Sequence, residues 1–173
     1  MKEYPVFKTI LNRRSIRDYT DEQIIDEEIN QILESGRWAP SANNYQPWRF
    51  LIIKDTKKIE DLSQFTKYAN IMRKSKVNIL VFLDKKFQGD RVKSLQSIGA
   101  CIQNMLLTAH ELGIGTCWIG EIVNRHEKVE KFLNLPENLE LMALITLGKI
   151  PSKKRESNRI LLNDLVIKSE LTK

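Results

Sequence analysis

Apolar positions along the 173-residue chain follow two periods, and the switch between them marks the elements. Val6, Phe7, Ile10 and Leu11 share one helical face and predict a short helix over 4–12. Ile29, Ile32, Leu33 and Gly36 fall at i, i+3, i+4 and i+7, so a second helix ends at Gly36. It starts at Asp26, or several residues earlier if Thr20 and Gln23 form a capping box. Residues 39–47 carry Pro40, Asn43, Asn44 and Pro47 and predict an irregular loop. Residues 48–54 read as a strand, followed by a helix capped by Asp55 or Thr56 that runs to about Tyr68, burying Ile59, Leu62 and Phe65. The nearly continuous apolar run 77–83 predicts a strand covered on both faces. The longest helix spans 90–112, with Val92, Leu95, Ile98, Ile102, Met105, Leu106, Ala109 and Leu112 in a stripe broad enough for a central helix shared with a second subunit. Gly113 ends it, and a strand at 115–119, a helix at 124–133 and a strand at 139–147 follow. Residues 148–173 are polar and basic apart from Ile160 to Ile167, too thin for a core of their own, and are expected to lie along another surface. This order is that of a layered mixed α/β or α+β domain.

Composition narrows the picture. With 42% apolar and 29% charged residues, disorder, collagen and coiled coil are excluded, and 7 Gly with 5 Pro leave no room for a long flexible linker. The whole chain, 1–173, is expected to form one domain. No apolar run is long enough for a membrane span, and the first residues are charged without a signal-like apolar core, which predicts a cytoplasmic protein. Cys101 sits on the helical stripe and Cys117 in a strand, so both are expected as reduced core thiols. His110 and His126 have no partnered cysteines, which argues against a zinc site. The net charge of +6 comes entirely from the two ends. Residues 1–20 contribute +3, residues 149–173 contribute +4, and the middle is near neutral. Two terminal basic clusters can converge on one small anion, whereas a general nucleic-acid coat spreads over a face.

Four segments carry candidate chemistry. Arg13, Arg14, Ser15 and Arg17 offer guanidinium forks and a hydroxyl suited to a terminal phosphate. Residues 39–48 (APSANNYQPW) combine irregular backbone with amide side chains that match a flat heterocycle. Gly113, Gly115 and Gly120 surround a short strand and allow close approach of a ligand to the backbone. The last segment is the basic run 149–159. Each also has a plain reading, as a solvated turn, an ordinary connection, turn glycines or a solvated tail. No G-x-G-x-x-G, G-x-x-x-x-G-K-[ST], G-x-S-x-G, H-E-x-x-H or paired-carboxylate pattern occurs. Phosphate and amide sites without an evident acid, base or nucleophile point to a cofactor that does the chemistry.

In this order, RRSIRDYT (13–20), APSANNYQPW (39–48), IGACIQNMLLTAHELGIGTCWIGE (98–121) and LGKI with the basic tail (147–159) resemble the nitroreductase family of FMN-dependent oxidoreductases. The resemblance implies an α+β fold, a mixed central β-sheet flanked by helices, in a homodimer with two FMN sites at the subunit interface and the C-terminal tail extending onto the partner. It implies that Arg13, Arg14, Ser15 and Arg17 hold the FMN phosphate and ribityl chain. Arg159 would add a phosphate contact, with Lys154 or Arg155 as substitutes. Pro40, Ser41 and Asn43 would come from the other subunit to the isoalloxazine ring. The backbone of Ile119, Gly120 and Glu121 would reach the reactive edge, with an N–H facing N5.

The implied reaction is ping-pong hydride transfer from NADH or NADPH through the flavin to a small-molecule acceptor such as a nitroaromatic, a quinone or a flavin. No side chain serves as an essential acid, and no metal, membrane or nucleic acid is involved. The short connection DKKFQG (84–89) departs from larger family members, which carry extra helical structure there, and implies an open substrate site. A flavin carrier or sensor without turnover shares every motif. A basic nucleic-acid module would account for the charge, with Trp38, Tyr45 and Trp48 stacking bases or filling a core edge.

Overall fold

The computed structural model describes residues 4–87, 89–151 and 156–167. Four strands, β1 (Trp48–Ile53), β2 (Val77–Asp84), β3 (Ile114–Ile119) and β4 (Leu139–Lys149), form one sheet in the order β1-β2-β4-β3. All three strand pairings are antiparallel, and the parallel component expected of a mixed sheet is the isolated bridge between Ser15 and Thr116. Every residue of β2 is buried, as its unbroken apolar run requires.

Side chains alternate across the sheet and separate two cores. Val77, Ile79, Val81 and Leu83 of β2 face α2 (Asp26–Arg37) and α5 (Arg91–Glu111). Leu80 and Phe82 face α3 (Thr56–Ser63), α4 (Ala69–Lys74) and α6 (His126–Phe132). The two remaining helices are α1 (Pro5–Asn12) and the short α7 (Leu162–Leu165). The result is helices on both faces of an antiparallel sheet, an α+β fold.

Local chemistry explains most boundaries. Asp90 caps α5 by accepting from Lys93 N–H, and Asp55 caps α3 by accepting from Lys58 N–H. The second helix begins at Asp26 itself, because the Glu28 carboxylate accepts from Ile25 N–H. Gly36 lets α2 approach α5, since a Cβ there would lie 2.8 Å from Met105 and 3.1 Å from Cys101 Sγ.

Several expectations are corrected. The third helix stops at Ser63 rather than near Tyr68, and α4 is a separate element. The expected 124–133 helix is a 3₁₀ turn, Glu121–Arg125, running into α6. Of the three aromatics around the prolines only Trp48 is buried, while Tyr45 is exposed and Trp38 is 73% exposed, its Nε1 donating to Glu34. The apolar face of α1 does not enter either core: Val6, Phe7, Ile10 and Leu11 are all exposed.

Candidate functional site

The arginine segment is held against the sheet by two glycines that face each other across β3 and β4. Gly115 pairs with Gly148. A Cβ on Gly115 would lie 2.8 Å from Ile16, and one on Gly148 would lie 2.5 Å from the Tyr19 ring. Gly115, whose spacing suggested room for a ligand, and Gly148 instead admit a segment of the same chain. Tyr19 fixes that segment, its hydroxyl donating to Ile16 C=O at 2.8 Å and bonding Thr146 Oγ1 at 2.6 Å. Gly113 has a separate role, ending α5 at φ +70°.

So seated, Arg13, Arg14, Ser15 and Arg17 line a cavity of about 450 Å³ together with Glu156, Ser157 and Arg159. Four guanidinium groups and one carboxylate share this wall. Burial, then Arg159 and Arg14, push the Arg13 guanidinium below its ordinary pKa. Arg14 is braced by carbonyls of Leu11 and Arg13, yet its buried Nε has no hydrogen-bond partner. Such a crowded, partly orphaned cationic wall is suited to an anion with several oxygens. Elsewhere, four of the other five described arginines pair with carboxylates, Arg37 with Glu34, Arg49 with Asp84, Arg73 with Glu60 and Arg91 with Glu140, and so do Lys54, Lys74, Lys76 and Lys149.

Arg17 also lines a second cavity of about 210 Å³ with Tyr68, Ile71, Cys117, Trp118, Ile119, Gly120 and Glu121. Its floor is the open edge of β3. Ile16 N–H donates to Thr116 C=O at that edge, and main-chain groups alternate along a strand, so Trp118 and Gly120 present theirs to the same side. Gly120 N–H pairs with no group of the described residues. Glu121 opens the 3₁₀ turn, anchored below by fully buried Ile122. Its carboxylate accepts from Thr66 Oγ1 at 2.6 Å and Lys67 N–H at 3.2 Å, and the Thr66 bond holds its pKa below the usual range.

The two cavities share Arg17 as a lining residue and together make the candidate site, cationic at one end and lined by backbone at the edge of β3 at the other. The sequence model described as the Nitroreductase family matches residues 10–70 and 63–149, which include both ends of that site.

The chain belongs to the nitroreductase family.

Among solved structures similar to this nitroreductase-family chain is a Desulfovibrio desulfuricans protein in complex with FMN, 43% identical, covering 99% of this chain and 100% of that one, with a TM-score of 0.93. The NADPH:FMN oxidoreductase of Vibrio harveyi, complexed with NAD+, is 25% identical, covering 97% of this chain and 78% of that one, with a TM-score of 0.87. A protein of Archaeoglobus fulgidus whose name pairs NADH dehydrogenase with NAD(P)H nitroreductase is 35% identical, over 82% of this chain and 83% of its own length.

Not every expected residue reaches the site within the single chain. Arg159 joins the cationic wall, whereas Lys154 and Arg155 lie outside the described residues. Pro40, Ser41 and Asn43 line neither cavity. Their loop is constrained, with Asn43, Asn44 and Gln46 at φ of 50°, 57° and 50°, and Ser41 Oγ accepting from Gln46 N–H. Tyr68 and Ile71 were not anticipated, because they sit at the N-cap and in the first turn of α4, a helix too short to show periodicity. Among the described residues, no three His, Cys, Asp or Glu side chains gather as a metal site. No helix among them is long and apolar enough to cross a membrane.

Both cysteines of this nitroreductase-family chain are buried and stand outside any disulfide. Burial alone pushes the Cys101 thiol up to about 12. Thiol titration of the native protein at pH 8 should leave Cys101 unmodified until denaturant is added, because only the thiolate reacts.

Proposed function

We propose that this chain is an FMN-dependent oxidoreductase that takes electrons from NADH or NADPH and passes them to a small-molecule acceptor of the nitroaromatic, quinone or flavin class. The observation that carries this reading is the pair of cavities that share Arg17, one walled by the guanidinium groups of Arg13 and Arg159 and the other lined by Gly120 at the edge of β3. A phosphate on a polyhydroxyl chain ending in a flat heterocycle has that distribution of chemistry. The FMN and NAD+ complexes of the two structural relatives agree with it. Four guanidinium groups face one carboxylate in a single cavity, whereas four of the other five described arginines are ion-paired, a distribution that disfavours a nucleic-acid-binding face.

In this reading Arg13, Arg14, Ser15, Arg17 and Arg159 hold the phosphate and ribityl chain. Their cost in self-repulsion is offset once the dianion is in place. The unpaired N–H of Gly120, with the backbone of Ile119 and Glu121, meets the reactive edge of the ring, where preorganised donors favour added electron density. When bound, FMN supplies hydride and electron transfer, so the chain need contribute no acid, base or nucleophile.

We further infer a homodimer. The exposed faces of α1 (Val6, Phe7, Ile10, Leu11) and the exposed run Ile160–Ile167 form apolar surface that a soluble monomer seldom leaves uncovered. Pro40, Ser41 and Asn43, which line neither of these cavities, are then available to the partner's site. The brief connection after β2, a 3₁₀ turn at Lys85–Phe87 leading to Asp90, leaves the acceptor side open.

An anaerobic visible spectrum of the purified, FMN-loaded protein tests the reading. Addition of NADH or NADPH should bleach the flavin bands, and a nitroaromatic or quinone should restore them. A protein that binds FMN but is bleached by neither donor is a carrier, and one that refuses FMN overturns the proposal.

A further inference from the structure

We propose that Thr66 is a positioning residue for the redox site: by holding the Glu121 carboxylate, its hydroxyl fixes the turn that presents the Gly120 amide to the flavin ring. The proposal rests on the FMN reading above and adds a residue from α3–α4 that touches neither end of the site itself. Thr66 is 6% exposed and lies in the link between α3 and α4. Its Oγ1 donates to Glu121 Oε2 at 2.6 Å and accepts from Tyr68 N–H at 3.2 Å. Lys67 N–H gives the same carboxylate oxygen a second, longer bond at 3.2 Å. One hydroxyl thus ties together the turn after β3 and the start of α4, whose Tyr68 and Ile71 line the opposite wall of the ring-end cavity.

The geometry makes this tie consequential. Gly120 has no side chain and is exposed, so its N–H is held only through its chain neighbours: buried Ile119 before it and the turn after it, where its C=O accepts from Val123 N–H at 3.1 Å. Ile122 anchors the turn on the core side, and the Glu121 carboxylate is the anchor on the other. Lys67 and Arg125 are the cations that face that carboxylate, and neither replaces the directional bond from a buried hydroxyl. Losing the hydroxyl lets the turn relax and lets a carboxylate swing toward the ring. A displaced N–H donor and a nearer negative charge both disfavour added electron density, so the two effects act in one direction.

The test compares wild type, Thr66→Ser and Thr66→Val, each loaded with FMN. In Thr66→Val the ratio of reduced-flavin to oxidised-flavin affinity should fall about tenfold, a midpoint potential lower by about 30 mV for a two-electron couple. The dissociation constant of oxidised FMN should stay near the wild-type value, because the arginine wall is untouched. Thr66→Ser keeps the hydroxyl and should restore the potential. In FMN-free protein, amide hydrogen exchange over 117–123 should be faster in Thr66→Val than in wild type or Thr66→Ser. An unchanged potential in Thr66→Val, or an equal shift in Thr66→Ser, overturns the proposal, as does unchanged exchange over 117–123. If wild type itself fails to bind FMN, the functional reading falls, while the exchange measurement still judges the Thr66–Glu121 tie.

Discussion

Replacing Arg13 and Arg17 together by alanine yields a folded protein that no longer retains FMN. Both guanidinium groups line the cationic wall, and Arg17 is the residue shared with the ring-end cavity. Hydrogen bonds to charged groups contribute about 1.5–3 kcal/mol each. Two of them removed together weaken binding by roughly 10²–10⁴-fold. The fold itself should not suffer, because Arg13 is already penalised by burial and by its neighbours Arg159 and Arg14. The FMN-free double variant is expected to melt at or above the wild-type temperature. Arg73→Ala, which removes an exposed base paired with Glu60, serves as the control and should leave FMN affinity unchanged. Equilibrium titration of FMN fluorescence reads both, and wild-type affinity in the double variant removes the phosphate assignment.

Adding one methyl group at Gly148 should damage both stability and cofactor affinity. The new Cβ would sit 2.5 Å from Cγ of Tyr19, far inside contact distance, and the obstacle is a ring pinned at its hydroxyl rather than a flexible chain end. Overpacking of this kind costs about 1–3 kcal/mol. For a domain of this size that lowers the melting temperature by about 2–4 °C per kcal/mol. The Tyr19 ring must move, and with it Ile16 and the arginine segment between them, so FMN binding should weaken about tenfold or more even where the protein remains folded. Gly99→Ala is the internal contrast, since a Cβ there meets nothing within 4 Å inside α5. It should stabilise the helix by about 0.5–1 kcal/mol. Equal melting temperatures and FMN affinities for Gly148→Ala and wild type would remove the cradle from the account.

How much of this was legible beforehand depended on whether the signal was local. The unbroken apolar run of β2 announced a strand covered on both faces, and the stripe of α5 announced a buried helix face, which holds from Ile98 onward while Val92 and Leu95 at its start are exposed; burial imposes a period that the residues themselves display. The caps at Asp55 and Asp90 were equally readable, since the capping side chain and the amides it serves are three residues apart. The split of the third helix into α3 and α4 was not. Phe65 continues the apolar spacing past Ser63, and only packing against Phe132 and the bond from Thr66 to Glu121 give the chain a reason to leave the helix there.

The candidate site divides along the same line. By itself the sequence determined which groups were on hand: an arginine-rich segment, a glycine-flanked strand, an amide-rich loop and a basic tail, in an order that resembles one family. Only the tertiary structure decided what each is for. Gly115 and Gly148 are distant in the chain and face one another across two strands, so their shared role as a seat for Ile16 and Tyr19 has no sequence signature. The same holds for Arg159 beside Arg13, and for the Gly120 amide, which finds no partner among the described residues because β3 is the edge strand and Ile16 covers that edge only as far as Thr116. The physical reason is range. Periodicity, capping and turn chemistry act over a few residues and are written in composition, whereas steric complementarity and unpaired edges arise between segments brought together only when the whole sheet closes.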